Sequence, residues 1–199
     1  MFRSRDAFIT GPAVLGLLIA VAWLLVPTAG HAEDASLPEF LRHPEVGLRA
    51  GFSGLDLIGA ETEQNFQQYD AFVRFDLPWE RYSESGWGFG TRFLVSAGVV
   101  RAAGEDEFIT TLVPRIVLGD KKERISLEAG GGIALLSDYK FGSQNLGGPF
   151  QFVWDIGLRL GLYKGLRLGY NFQHISDATI YGNGSRGYDV NMVEIGYRF

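Results

Sequence analysis

The sequence predicts an all-β protein, an eight-stranded antiparallel transmembrane β-barrel of an outer membrane. Three observations predict it. From residue 45 onward, apolar side chains recur at every second position. Several of these blocks run about ten to fourteen residues, where a soluble strand has about five or six. Each apolar face is backed by a face of glycine, small and charged residues rather than by a second apolar one. A soluble sandwich also alternates, with its apolar face turned to a core. Long strands with charged and glycine-rich inner faces suit a narrow barrel instead, its lumen filled by polar networks and its apolar band turned to lipid.

The elements follow in order. Residues 1–32 read as a secretory signal peptide, with Arg3 and Arg5, an apolar stretch from Ala13 to Val26, and Gly30-His31-Ala32 with small residues where a signal peptidase reads. The apolar run is shorter than the ~20 residues of a spanning helix, and Pro27 interrupts its end. Residues 33–44 form a leader and 45–199 the barrel domain. Losing residues 1–32 removes two arginines and one aspartate, so the formal net charge moves from -5 to -6. No clustered basic face suggests nucleic acid as a partner. The absence of cysteine excludes thiol catalysis, Cys-ligated metal, disulfide stapling and a lipid-modified N-terminal cysteine. The 27 glycines and 14% aromatic residues, with no long apolar segment after the signal, fit strands better than spanning helices.

Residues 68–77 put Tyr69, Ala71, Val73, Phe75 and Leu77 on one face and Gln68, Asp70, Phe72, Arg74 and Asp76 on the other. Residues 87–100 oppose Trp87, Phe89, Phe93, Val95, Ala97 and Val99 to a face of glycines with Arg92 and Ser96. Residues 124–135 oppose Ile125, Leu127, Ala129, Ile133 and Leu135 to Ser126, Glu128, Gly130 and Gly132. Residues 150–162 are the clearest, with large apolar side chains at every even position from Phe150 to Leu162 against Gln151, Asp155, Gly157, Arg159 and Gly161. GDKKE (119–123) and YKG (163–165) read as tight periplasmic turns and PWERYSES (78–85) as an intermediate one. ETEQN (61–65), AAGEDE (102–107), DYKFGSQNLGG (138–148) and SDATIYGNGSRGY (176–188) read as the longer external connections. The final VEIGYRF keeps Val193, Ile195, Tyr197 and Phe199 on one face and ends in an aromatic, like an outer-membrane assembly signal.

The seventh block, GLRLGYNFQHIS (165–176), turns Leu166, Leu168, Tyr170 and Phe172 to lipid, and His174 and Ser176 continue that parity. Counting back in twos from Phe199 in the last block reaches Asn191 and Asp189, also on the lipid side. Both sets lie at the external ends of adjacent strands. A polar trio facing lipid is costly unless it serves a purpose. A serine nucleophile needs a base, and the base needs a third group to fix its tautomer; Ser176, His174 and Asp189 supply those roles. Strand ends at an interface are also commonly polar, and on parity and spacing alone a structural role for the trio stays open.

Around these residues the chain resembles the outer-membrane lipid A 3-O-deacylases, the acyloxyacyl hydrolase-like proteins. The resemblance is carried by FQHISDATIYGNGSRGYDVNMVEIGYRF and more loosely by GWGFGTRFLVSAGVVRAAGE and GGPFQFVWDIG. It implies a barrel whose active site lies on its outside, with His174 as base, Ser176 as nucleophile and Asp189 as orienting acid. It further implies oxyanion donors at the Asn183 side chain and a backbone N–H near Thr179. The chain departs from the family pattern at Asp177, where Asn is usual, at Thr179, where Gly is usual, and in GNGSRG (182–187), which lacks the loop prolines.

The expected activity is a serine esterase that removes the 3-O-linked acyl chain of lipid A, with lipopolysaccharide as substrate, outer-membrane lipid around it and no metal or cofactor required. The rivals are a non-catalytic barrel with a structural or partner-binding role, and an acyl transferase. Whether the barrel forms a homodimer is not fixed by the sequence.

Overall fold

The computed structural model describes residues 43–54 and 64–199. The signal peptide, nearly all of the leader and part of the ETEQN connection lie outside the described residues. The described residues form ten strands: β1 (Glu45–Phe52), β2 (Gln67–Tyr82), β3 (Trp87–Ala102), β4 (Glu105–Asp120), β5 (Ile125–Leu136), β6 (Lys140–Phe141), β7 (Gln144–Asn145), β8 (Phe150–Gly161), β9 (Leu166–Ser176) and β10 (Tyr188–Arg198). Eight close an antiparallel barrel in the order β1-β10-β9-β8-β5-β4-β3-β2, and β6 and β7 form a separate hairpin. The seam is the β1–β10 pair, with Glu45 opposite Arg198 and Phe52 opposite Asn191. Both chain ends of the barrel therefore share one rim, and the long connections share the other.

The alternation read from the sequence becomes the wall of the barrel, because successive side chains of a strand point to opposite faces. Leu48, Ile116, Leu118, Ile156, Leu158, Val193 and Ile195 project outward and are exposed. Trp79, Trp87, Tyr163, Tyr197 and Phe199 form an aromatic fringe near the rim of the chain ends, as at a membrane interface.

The lumen is solid and has two parts. Toward the chain ends it is ionic. Arg74 donates to Glu45 at 2.9 Å and Glu194 at 2.8 Å, while Glu128 accepts from Arg92 at 2.7 Å and from Arg115 and Arg159 at 3.2 Å. Arg115 also reaches Asp155 at 2.5 Å, and Arg159 bonds Glu45. Toward the long loops the lumen is apolar. Phe66, Val100, Ile109, Ile175, Tyr188 and Val190 are buried together there, with Phe66 stacked on Tyr188 at 4.2 Å. The β6–β7 hairpin folds over this end and contributes Phe141 and Leu146 to the same core.

Two connections differ from the sequence reading. AAGEDE is not a long loop: β3 and β4 meet in the two-residue turn Ala103-Gly104, both with positive φ (54° and 83°), the combination a type I′ hairpin demands. Its acidic residues extend β4, and Arg101 grips Asp106 across the ladder at 2.5 Å. PWERYSES is mostly strand, because β2 continues to Tyr82. Pro78 falls where the register slips between Leu77 and Arg81, a bulge that tolerates the missing N–H.

Candidate active site

β9 and β10 pair so that Asp189 lies directly opposite His174. Opposed Cβ atoms in such a pair are about 5 Å apart, close enough for a short hydrogen bond between the side chains. Ser176 follows His174 by two residues and shares its face. The imidazole bridges the three: Nδ1 lies 2.6 Å from Asp189 Oδ1 and Nε2 lies 3.0 Å from Ser176 Oγ. An ionised carboxylate only accepts, so Nδ1–H donates to Asp189 and Nε2 is left to accept from the Ser176 hydroxyl. Asp189 is 2% exposed and the His174 side chain 12% exposed, so the acid is the deepest member and the serine stands at the loop end.

The strand behind this wall is locked from inside. Ile175, Tyr188 and Val190 alternate with the trio and are buried in the apolar part of the lumen. On the other flank β8 places Phe152 opposite Ser176 and Trp154 opposite His174. The Trp154 ring lies 5.8 Å from the imidazole.

The connection after Ser176 is organised by Asp177, which is buried. Its Oδ1 accepts the Thr179 N–H at 3.0 Å, and its Oδ2 accepts the Tyr181 N–H at 3.2 Å and the Ser185 hydroxyl at 2.7 Å. Ala178 and Thr179 both have positive φ, 48° and 67°, and the Ile180 N–H closes the turn on the Asp177 carbonyl at 3.1 Å. The Thr179 amide is thus engaged by Asp177, whereas the Ala178 N–H has no acceptor among the described residues. Asn183 sits on an exposed turn and makes no hydrogen bond among the described residues.

Gly187 leads into β10 and touches the Ser176 backbone. A Cβ there would stand 2.5 Å from the Ile175 carbonyl oxygen and 2.8 Å from Ser176 Cβ. The β6–β7 hairpin ties this segment down. The Arg186 N–H donates to the Asn145 carbonyl at 3.0 Å, and Gln144 Nε2 donates to the Gly187 carbonyl at 3.0 Å. The structure brings Ser176, His174 and Asp189 together on one face, as the parity of the sequence expects, and the sequence did not point to the Trp154 contact, the close approach at Gly187 or the caging by Asp177. A glycine two residues before the acid and an Asp following the serine were the available signals. Among the described residues no group of three or more histidines and acids is placed to hold a metal ion.

The model of the lipid A 3-O-deacylase (PagL) family matches residues 67–198. The chain belongs to that family. It is accordingly a lipid A deacylase of the outer membrane, and the long loops of its barrel mark the extracellular rim. The crystal structure of the outer membrane enzyme PagL aligns with a TM-score of 0.64 at 20% identity, covering 77% of this chain and 98% of that one. The outer membrane protein Ail of Yersinia pestis, in a phospholipid nanodisc, aligns with a TM-score of 0.46 at 14% identity, covering 79% of this chain and 99% of that one. No curated protein sequence matches the chain.

Proposed function

We propose that this PagL-family protein is a serine esterase, with Ser176 as nucleophile, His174 as general base and Asp189 as the orienting acid, acting on the 3-O-linked acyl chain of lipid A. What supports this reading is the unbroken hydrogen-bond chain from Ser176 through His174 to Asp189 on the lipid-facing wall. Ser176 Oγ attacks the ester carbonyl carbon while its proton passes to His174 Nε2, and Asp189 stabilises the imidazolium through Nδ1–H. Collapse of the tetrahedral intermediate expels the sugar oxygen, which takes the proton from His174. Water then cleaves the acyl-serine ester with His174 again as base, releasing the fatty acid and restoring Ser176.

The oxyanion needs donors placed before it forms. The Ala178 N–H is ready to serve. The Asn183 side chain is the second donor, and the Thr179 N–H joins only by exchanging its bond to Asp177 for the oxyanion. Outward placement lets lipid A reach the serine laterally, which a lumen packed with side chains does not allow.

The test is to incubate the purified barrel with lipid A and weigh the products. Loss of one 3-hydroxyacyl chain, abolished by Ser176→Ala, is the expected result. Unchanged lipid A beside an active family member sinks the esterase reading, and full activity in Ser176→Ala sinks the residue assignment. Gain of the chain by a second lipid identifies acyl transfer instead.

A further inference from the structure

We infer that Trp154 is a positioning residue for His174, an inference that rests on the proposed role of His174 as base. An imidazole on the lipid-facing wall receives no hydrogen bonds from acyl chains, so only the protein can hold it. Its bonds to Asp189 and Ser176 leave from the two ring nitrogens. They hold the ring at its nitrogens and leave its flank to be covered by a neighbouring strand. β8 covers it. Trp154 lies opposite His174 in the β8–β9 register, with ring centroids 5.8 Å apart and planes inclined by 36°.

The indole is itself held. It packs on Phe172 at 5.4 Å, and Phe172 is the residue two below His174 on the same face of β9. Burial separates Trp154 from its companions on β8: Phe152 and Ile156 are 40% and 43% exposed, as lipid-facing residues should be, while Trp154 is only partly exposed. Phe172, Trp154 and His174 therefore form a continuous row of tilted ring contacts along the wall, ending at His174.

The contact leaves both ring nitrogens to their partners. Asp189 from β10 is the charged group facing the imidazole, and Ser176 is its neutral neighbour on β9. The groups of β8 with charge, Asp155 and Arg159, face the lumen. Trp154 thus adds to Asp189 without competing for a ring nitrogen.

The experiment compares the refolded barrel with Trp154→Leu and Trp154→Phe. The NMR signal of the His174 Nδ1–H proton held by Asp189 is recorded, and the rate at which a fluorophosphonate attaches to Ser176 is measured in the same samples. Folding is checked by the heat-dependent gel migration of the barrel. In Trp154→Leu that signal is expected to broaden by exchange, because the ring is no longer steadied against Asp189. Labelling slows by about three- to tenfold, with kcat on lipid A falling and KM unchanged, because the base is no longer held in line. Trp154→Phe restores most of both. A Leu variant that keeps the Nδ1–H signal and labels like the wild type overturns the inference, and so does a Phe variant indistinguishable from a poorly labelled Leu variant. A wild type that resists the fluorophosphonate and leaves lipid A intact, while its Nδ1–H signal still depends on Trp154, upholds the Trp154 contact and overturns the esterase reading instead.

Discussion

The two parts of the lumen solve the same problem, filling a narrow barrel, with opposite chemistry. Toward the periplasm, buried Arg49, Arg74, Arg92, Arg115 and Arg159 interlock with Glu45, Asp70, Glu128, Asp155 and Glu194. Such a network is redundant, because each guanidinium has several carboxylates within reach. Toward the extracellular rim the filling is apolar and made of shapes that fit one way, such as Phe66 flat on Tyr188 and edge-on to Phe141. The wall behind the proposed active site is the apolar one. Close packing transmits displacement with little give, so the half that must hold Ser176, His174 and Asp189 within hydrogen-bond distance is the half built from rings and branched side chains.

The contrast can be broken by mutating each half in turn. Phe66→Ala removes the ring under Tyr188, one residue before Asp189; it should cost about 3–5 kcal/mol in stability and lower deacylation by the folded fraction more than tenfold. Urea unfolding beside product mass spectrometry reads both. Glu128→Ala leaves buried arginines short of a partner and should also cost about 3–5 kcal/mol, but with kcat of the folded fraction unchanged; a tenfold drop there would show that the ionic half also positions the site. Gly187→Val drives a side chain into Ser176 and the Ile175 carbonyl, and a nucleophile moved by about 1 Å should lose about 100-fold in kcat while the melting point moves little. Arg101→Ala breaks an exposed pair with Asp106 and should cost about 0.2–1 kcal/mol with no effect on activity.

The barrel and the trio were legible for one reason: alternation survives from sequence to structure without any long-range information. Once Leu166 to Phe172 fixed the outward parity of β9, His174 and Ser176 followed, and Phe199 did the same for Asp189. What depended on contacts across the chain was not legible. The acidic run at 105–107 looks like a solvated loop until its strand partner Arg101 is known. Pro78 looks like a strand end until the bulge beside it is seen. Asp177 reads only as a departure from the family's usual Asn, until its oxygens are found occupied by two amides and a hydroxyl of its own loop. The Trp154 ring sits on the same face as a row of lipid-facing residues, and only the β8–β9 register brings it to His174.

β10 has two duties at once: it carries the carboxylate opposite His174, and it is the strand that seals the wall against β1. A chain released from the ribosome before those closing residues has two raw sheet edges and a histidine with no acid to orient it. Completion of the container and completion of the hydrogen-bond chain therefore coincide in a single step of assembly.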